Sequence, residues 1–426
     1  MSKQAKGFLG RSGNQLLDIH QFLEDEDHVE PFLSTTLRNI HRVRWLDIDS
    51  FFPHLERMLI RFTEPAPNLE YLEITNNPNI TGRNMKFDNT IFGGRLPKLT
   101  SLSLHYLRTN LRGFDFPSLK RFVFTTGTNI SVQDLASFFE RCPLLEFIHI
   151  SLSYSPQPPV APPGERVRLA ALNELKFDQT ASTSGLLDHL VLPKCTNVML
   201  KGQFTGETLD QYGEPAARIH PSSIDHISVT RGITKAIAMP NSCILSGPNG
   251  NLRFWCFEEV RGNFDAGFFT SFSPISTSEI RELWVGQRTE FYFGDSKDPW
   301  KQTIAGVRGV FEVLTKVEDL TVVNCETEPF FATLGAAVDD ELLPGLRRLT
   351  IYVGCGDLNA PALMQCAKAR KEHSRPLKEV TVVFKAEPGA DVIQGVESIG
   401  EFVGELTHRI GETPELIRQR GDSDMW

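Results

Sequence analysis

The sequence lacks most features that mark an extracellular, membrane-spanning or nucleic-acid-binding protein. Its seven cysteines are odd in number and form no Cys-x-x-Cys pair. We therefore expect free thiols in a reducing compartment, cytoplasmic or nuclear. No apolar run approaches the roughly 18 residues of a membrane span, and residues 1–7 are not followed by the apolar core of a signal peptide. The 44 basic residues are outnumbered by 53 acidic ones, and the net charge of -9 argues against a nucleic-acid partner.

Sequence motifs that carry catalysis are also lacking. The eleven histidines show no spacing typical of zinc ligands. The segment Gly247-Pro248-Asn249-Gly250 lacks the Lys-Ser/Thr of a phosphate-binding loop and is predicted to be a turn. Asp47-Ile48-Asp49 could bind a metal ion, although two carboxylates facing solvent from a strand are the commoner case. We therefore expect a protein without enzyme activity, cofactor or metal site.

A short phrase, apolar-x-x-apolar-x-apolar, recurs along almost the whole chain. Clear copies begin at Leu69, Leu99 and Leu346. About thirteen copies occur, about 28 residues apart on average when the middle apolar residue marks each one. The marks are Leu46, Leu72, Leu102, Phe122, Ile148, Leu175, Val198, Ile227, Trp255, Leu283, Leu320, Leu349 and Val380. Self-similarity at this spacing predicts an α/β solenoid of leucine-rich-repeat type.

The pattern within and between the copies predicts how this solenoid is built. Within each phrase, apolar and polar residues alternate, as in a strand with one buried face. Between several phrases, apolar residues recur at helical spacing. Ser131 is expected to cap a helix whose apolar face includes Leu135 and Phe138. Further helices are predicted at residues 51–60, 303–314 and 361–373, and loops at 153–163, 241–250 and 261–278. Successive strands would form a curved parallel sheet on the concave side, with helices on the convex side.

We divide the chain into a lead-in (residues 1–35), the repeat region (36–386) and a C-terminal capping segment (387–426). In the last of these, apolar residues at helical spacing predict an amphipathic helix that covers the final strand. They are Ile393, Val396, Ile399, Val403, Leu406 and Ile410.

The strand alternation also predicts a binding surface. Residues on either side of each mark should point away from the core, onto the concave face, so Ser103 beside Leu102 is expected to face solvent. This face is rich in aromatic residues, and Trp, Tyr and Arg commonly anchor protein interfaces. The candidate partner-binding residues are Trp45, Tyr71, Arg121, Phe147, His149, His226, Phe254 and Trp284. The alternative is that insertions such as residues 261–278 fold over the sheet and bury these rings.

Several phrases follow a proline, as in Pro67-Asn68-Leu69, Pro97-Lys98-Leu99 and Pro117-Ser118-Leu119. In these proline-preceded Leu-x-x-Leu-x-Leu phrases, over about residues 8–385, the chain resembles the leucine-rich-repeat region of fungal F-box proteins. The resemblance implies that the repeats hold a substrate protein while an N-terminal F-box docks on the Skp1 adaptor of a cullin ubiquitin ligase.

The segment ahead of the repeats departs from that family pattern. Only about 35 residues precede the first full repeat, and they contain no Leu-Pro dipeptide, which is typical of an F-box. The F-box is therefore expected to be missing, and Skp1 to bind only if an F-box is supplied upstream. A stand-alone repeat scaffold with no link to ubiquitin is the alternative function.

Overall fold

The structure is a computed structural model of the 426-residue chain. It describes residues 12–23, 26–51, 54–77, 85–87, 91–109, 111–126, 130–152, 166–178, 186–202, 227–239, 242–256, 277–286, 308–323, 327–336, 342–353 and 358–412. The chain divides into two compact units: residues 1–202 with 217–228, and residues 203–216 with 229–426.

The first unit is built on a parallel sheet whose strands lie side by side in chain order. The strands are β1 (Leu17–Leu23), β2 (Val43–Phe51), β3 (Tyr71–Asn77), β4 (Ser101–His105), β5 (Arg121–Thr126), β6 (Phe147–Leu152), β7 (Glu174–Asp178) and β8 (Asn197–Gly202). Two short parallel pairs accompany this sheet, Met85–Phe87 with Leu107–Thr109 and Val167–Arg168 with Leu190–Val191.

The predicted marks occupy one continuous row across the sheet of the first unit. Leu46, Leu72, Leu102, Phe122, Ile148, Leu175 and Val198 are partners in register and are all buried. The residues two positions further along each strand form a second buried row. One face of the sheet therefore lies against the core, as the period-2 pattern predicts. We call the opposite face of β1–β8 the outer face.

Helices cover the inner face of the first unit. They are α1 (Glu26–Arg38), α2 (His54–Leu59) and α3 (Val132–Glu140). The predicted cap of α3 is confirmed, because the Ser131 hydroxyl accepts a hydrogen bond of 3.1 Å from the backbone N–H of Asp134. From α3, Phe138 packs 4.8 Å from Phe122 of β5, centroid to centroid. Residue 51, predicted to begin a helix, instead ends β2.

The second unit combines an antiparallel hairpin with a run of parallel strands. Its strands are β9 (Lys235–Met239), β10 (Ser242–Gly247), β11 (Gly250–Cys256), β12 (Glu282–Gly286), β13 (Asp319–Val323), β14 (Arg348–Val353), β15 (Glu379–Phe384) and β16 (Glu405–Ile410). Their order in the sheet is β11-β10-β9-β12-β13-β14-β15-β16. The helices are α4 (Thr327–Ala336), α5 (Ala360–Glu372) and α6 (Ala390–Glu397), and residues 308–313 are also helical. The prediction at 361–373 is thus confirmed, whereas residues 303–307 lie outside the described part.

The hairpin replaces two copies of the predicted repeat. Ile227 is buried but precedes a short 3-10 helix rather than lying in a strand, and Trp255 lies on an antiparallel strand. Residues 242–250, predicted as a loop, form β10 and a two-residue turn at Pro248 and Asn249. Gly247 is required at this turn, because a Cβ there would lie 2.4 Å from the carbonyl oxygen of Gly232.

The C-terminal prediction is half right. Helix α6 begins at Ala390 with Gly389 as its N-cap, and a 3-10 turn follows at Ser398–Glu401. Leu406 and Ile410, predicted to continue the helix, lie instead on β16, which pairs in parallel with β15 and leaves Ile410 61% exposed. The start of β16 requires a glycine at position 404, since a Cβ there would lie 2.7 Å from the Lys378 carbonyl oxygen. With β1 at the other end, parallel pairing extends beyond both predicted limits of the repeat region.

Two arginines tie a helix to the loop of the preceding repeat. Arg141, at the end of α3, donates from Nε to the carbonyl oxygen of Phe114 (2.8 Å) and from Nη2 to that of Leu111 (2.7 Å). In the second unit, Arg370 of α5 donates from Nη2 to the carbonyl oxygens of Leu343 (3.2 Å) and Leu346 (3.4 Å). Each guanidinium thus donates to two carbonyls of one loop, and in each pair the first carbonyl, Leu111 or Leu343, also accepts a backbone N–H three residues on.

Each unit is therefore a mixed α/β structure dominated by an open, largely parallel sheet with helices, which is consistent with a solenoid-like fold. Within the described residues, no helix has the length and apolar character needed to cross a bilayer.

Candidate functional site

Five of the eight candidate residues lie together on the outer face of the first unit. They are Trp45, Tyr71, Arg121, Phe147 and His149, on strands β2, β3, β5 and β6. Arg121 is exposed and the other four are half-buried. Trp284 is half-buried on β12 of the second unit, and His226 lies outside the described residues. Residues 153–163 and most of 261–278 also lie outside, so the alternative that the latter insertion covers the rings stays open.

The prediction that Phe254 points away from the core, onto a binding face, is wrong. Its side chain is 1% exposed, because the alternation of β11 places Leu252 and Phe254 on the buried face. The phrase around Trp255 is not a repeat copy, and its register is set by antiparallel pairing of Phe254 with Cys243. Phe254 is therefore a core residue of the hairpin.

Trp45 and Tyr71 form the most compact aromatic contact of the outer face. They are direct partners on β2 and β3, and their rings stack with centroids 3.5 Å apart at 15°. His20 of β1 lies 5.5 Å from Trp45 on the other side. The Tyr71 hydroxyl donates to a carboxylate oxygen of Glu73, and burial together with this carboxylate raises the pKa of Tyr71. Tyr71 is therefore held as a neutral hydrogen-bond donor.

Phe147 is flanked by cations of the protein itself. The guanidinium carbon of Arg121 lies 3.9 Å from the Phe147 ring centroid, and the ammonium nitrogen of Lys176 lies 5.2 Å from it. Lys176 also pairs with Glu174 at 2.9 Å. The ring thus sits in a cation–π arrangement that orients two long basic side chains across the face.

Histidine–carboxylate pairs recur along the outer face. His20 lies 3.3 Å from Asp47, His105 lies 3.6 Å from Glu73, and His149 lies 3.1 Å from Asp178. Burial lowers the pKa of His105, so it is held neutral. Among these six residues, only His149 was predicted from sequence to be a partner-binding residue. Aligning neighbouring strands on their marks would have brought three more of them to attention, because it places His20, Asp47, Glu73 and His149 in one row.

Asp49 is an acid without a counter-ion among the described residues. Its Oδ1 atom is buried and has no hydrogen-bond partner among the described residues. Burial, followed by the charges of Asp47 and Glu73, raises the pKa of this carboxyl. We call Trp45, Asp47, Asp49, Tyr71 and Glu73 the acidic aromatic patch.

Asp49→Asn is expected to stabilise the protein at neutral pH. Because the pKa of Asp49 is higher in the folded state than in the unfolded chain, its ionisation costs stability as the pH rises through the carboxyl range. Removing the charge should add about 0.5 kcal/mol at pH 7, a magnitude reduced by solvent screening, and nothing at about pH 3. Urea unfolding at both pH values measures this. Asp319→Asn is the control: its carboxylate pairs with Arg348, so that variant should lose stability at pH 7. A loss for Asp49→Asn would contradict the argument.

Trp284 is tied to its neighbours on the sheet of the second unit. The Lys235 ammonium lies 3.9 Å from its ring centroid, and Glu282 accepts both from Lys235 (2.9 Å) and from the indole N–H. This ring, like Phe147, is already in contact with a cation of the protein.

Other chemistry considered from sequence does not assemble in the described residues. They contain no group of three or more His, Cys, Asp or Glu placed to hold a metal ion. Burial raises the pKa of the Cys142, Cys195 and Cys366 thiols to about 12, and that of Cys243 higher still, so these four are poor nucleophiles. The glycine-rich segment at 247–250 is the turn of the hairpin.

One expected solvent-facing position on the outer face is in fact covered. Ser103 is only 3% exposed, although it lies on the outer face, because it is a small side chain between Glu73 and Val123 in register. Ser101, opposite Tyr71, is covered in the same way. The exposed part of the face is therefore formed by its large side chains.

No protein-family model matches this chain, and neither does any curated protein. The function proposed below depends on the sequence pattern and on the geometry of the outer face.

Proposed function

We propose that the chain is a non-catalytic protein-binding molecule that holds a partner protein on the outer face of its first unit. The observation that carries this proposal is the contrast between the two faces of one sheet. The inner rows are fully buried, whereas Trp45, Tyr71 and Phe147 stay half-exposed on the outer face of the same sheet. Rigid aromatic rings on regular strands are typical interface anchors, since little conformational entropy is lost when they bind.

We propose further that the repeats are of the leucine-rich type and that the partner is a substrate of a Skp1–cullin–F-box ubiquitin ligase. The Leu-x-x-Leu-x-Leu phrases and their preceding prolines support this role, as does the stacking of their marks in register. A cytoplasmic or nuclear location fits Cys142, Cys195, Cys243 and Cys366, which are free and buried. The net charge of -9 favours a protein over a nucleic acid as the partner.

Phe147→Ala is expected to weaken partner binding by about 2 kcal/mol while leaving the melting temperature nearly unchanged. The ring is half-exposed and contacts basic side chains of the outer face, so little of the core depends on it. Affinity capture from the native cell and thermal melting, done on the same preparation, measure both effects.

The matched control is Phe254→Ala, which removes the same ring from the core and should cost about 3–5 kcal/mol of stability. If Phe147→Ala lowers the melting temperature as much as Phe254→Ala does, and recovery of the partner falls only with the folded fraction, the outer face is not the binding surface.

The ligase role has a separate test. Residues 1–426 alone are expected not to bind purified Skp1, and a fusion carrying an F-box upstream is expected to bring Skp1 and cullin to the captured partner. Partner capture without any Skp1 or cullin would favour the stand-alone scaffold.

A further inference from the structure

The two ends of the outer face of the first unit differ in charge. Asp47, Asp49 and Glu73 project from β2 and β3, whereas Arg121, Lys176 and Lys201 lie on β5, β7 and β8. Within the described residues, the ion pairs of Asp47 and Glu73 are with the histidines His20 and His105. No lysine or arginine of the described chain pairs with these three carboxylates.

The aromatic residues of the two units show what this end lacks. Phe147 has Arg121 and Lys176 at its ring, and Trp284 has Lys235. In both places the sheet carries its own cation, and a carboxylate on a neighbouring position holds that cation, Glu174 for Lys176 and Glu282 for Lys235. Trp45 and Tyr71 have the carboxylates but, among the residues that the structure describes, no such lysine or arginine.

The acidic aromatic patch also contains polar atoms that the fold leaves unpaired. Oδ1 of Asp49 is buried without a hydrogen-bond partner in the described part of the chain and could accept from a cation; Nε1 of Trp45 is unpaired too, but as a donor it would need an acceptor of the partner. Such atoms are uncommon in native proteins, because each costs desolvation energy that no bond returns. Three carboxylates near one another add repulsion, which an incoming cation would relieve.

We propose that the acidic aromatic patch binds an arginine or lysine side chain of an extended, basic segment of the partner protein. The inference rests on the proposed protein-binding function and specifies the chemistry of the partner. The partner's cation takes the place that Arg121 and Lys235 occupy beside Phe147 and Trp284, and the carboxylates of Asp47, Asp49 and Glu73 supply the counter-charge. Burial lowers the pKa of His105, so this histidine adds no positive charge and the patch stays negative.

The probe is a library of random peptides displayed on phage, selected against the full chain and sequenced. Arginine and lysine should be enriched in the selected peptides. The enrichment should be lost with a triple variant of the patch, Asp47→Asn with Asp49→Asn and Glu73→Gln. For one selected peptide, this variant should bind about tenfold more weakly.

A second triple variant controls for bulk charge. Glu397→Gln, Glu401→Gln and Glu405→Gln remove three exposed carboxylates from the second unit and change the net charge equally, from -9 to -6. This control should bind within about twofold of the unmodified chain. Circular dichroism and thermal melting confirm that both variants are folded.

The outcomes separate the inference from the proposed function. Selected peptides that lack basic enrichment, yet depend on Phe147 or Tyr71, would overturn the basic partner and leave the outer face as a binding surface. Equal loss in both triple variants would reduce the effect to bulk charge and also overturn it. Selection of no peptide that depends on the outer face would count against both.

Discussion

Replacing Leu349 by aspartate is expected to unfold the second unit or to cost at least about 4 kcal/mol of its stability. Leu349 is 1% exposed at the centre of β14 and lies in register between Leu320 and Val380, both buried. A carboxylate at this position meets no cation or donor, so it is either desolvated without a partner or forces the strand out of the sheet. The loss should spread to the neighbouring strands, because each repeat is packed mainly on the next. Urea and thermal unfolding followed by circular dichroism measure it.

Thr350→Asp, one residue along, provides the matched comparison. Thr350 is half-buried on the opposite side of the strand, between Thr321 and Thr381. There the new carboxylate can reach water, and a loss of about 1 kcal/mol or less is expected. Equal losses for the two variants would contradict the assignment of Leu349 to the buried face of β14 and of Thr350 to the accessible face.

Arg370→Ala is expected to be nearly as damaging, at about 3–5 kcal/mol. The side chain is 1% exposed and has no acidic partner among the described residues, and burial lowers the pKa of its guanidinium. Its replacement leaves a cavity and removes the guanidinium hydrogen bonds to the carbonyl oxygens of Leu343 and Leu346, of which Leu343 keeps its bond from the Leu346 N–H. Leu343 is held at φ 45°, so the loop that carries these carbonyls has little freedom to find other partners.

Two further variants separate packing from hydrogen bonding. Lys368→Ala, an exposed position on the same helix, should change stability by about 0.5 kcal/mol at most. Arg370→Met fills most of the volume without the donors and should fall between the other two. If Arg370→Met is as stable as the unmodified chain, the bonds to the loop contribute nothing and only packing matters.

The parallel strands could be predicted from sequence because one signal repeats. A buried strand needs apolar residues at alternate positions, and the marks from Leu46 to Val198 follow this rule without exception. Registers follow from the same signal, since neighbouring marks pair directly. The capped helix at Ser131 was predictable for a similar reason, because its hydrogen bond is local.

The hairpin and the last strand could not be predicted from that signal. Around Trp255 the phrase fits by chance, and the pairing of Phe254 with Cys243 depends on a turn whose Gly-Pro-Asn-Gly sequence is typical of loops in general. Near the C-terminus, the apolar residues keep helical spacing past Gly404. In the structure the backbone at Gly404 lies against the Lys378 carbonyl, and the next residues pair as a strand. In both places a non-local contact decided the structure.

Only part of the candidate site was visible in the sequence. Period-2 alternation placed Trp45, Tyr71, Arg121, Phe147 and His149 on one face, because side-chain direction is a property of the strand itself. The stacking of Trp45 on Tyr71 and the isolation of Asp49 depend on which strands become neighbours. Those contacts arise from residues about one repeat apart, and single-strand patterns carry no information about them.

The arginine contacts also bear on how the chain folds while the ribosome is still making it. Leu111 and Phe114 have their carbonyls satisfied by Arg141, which is added 30 and 27 residues later. Arg370 follows Leu343 and Leu346 by 27 and 24 residues. A repeat of this kind is complete only when the nascent chain has extended by about one more repeat. A ribosome that stalls just before residue 141 therefore holds a chain whose last loop is unfinished, and folding proceeds from the N-terminus about one repeat behind synthesis.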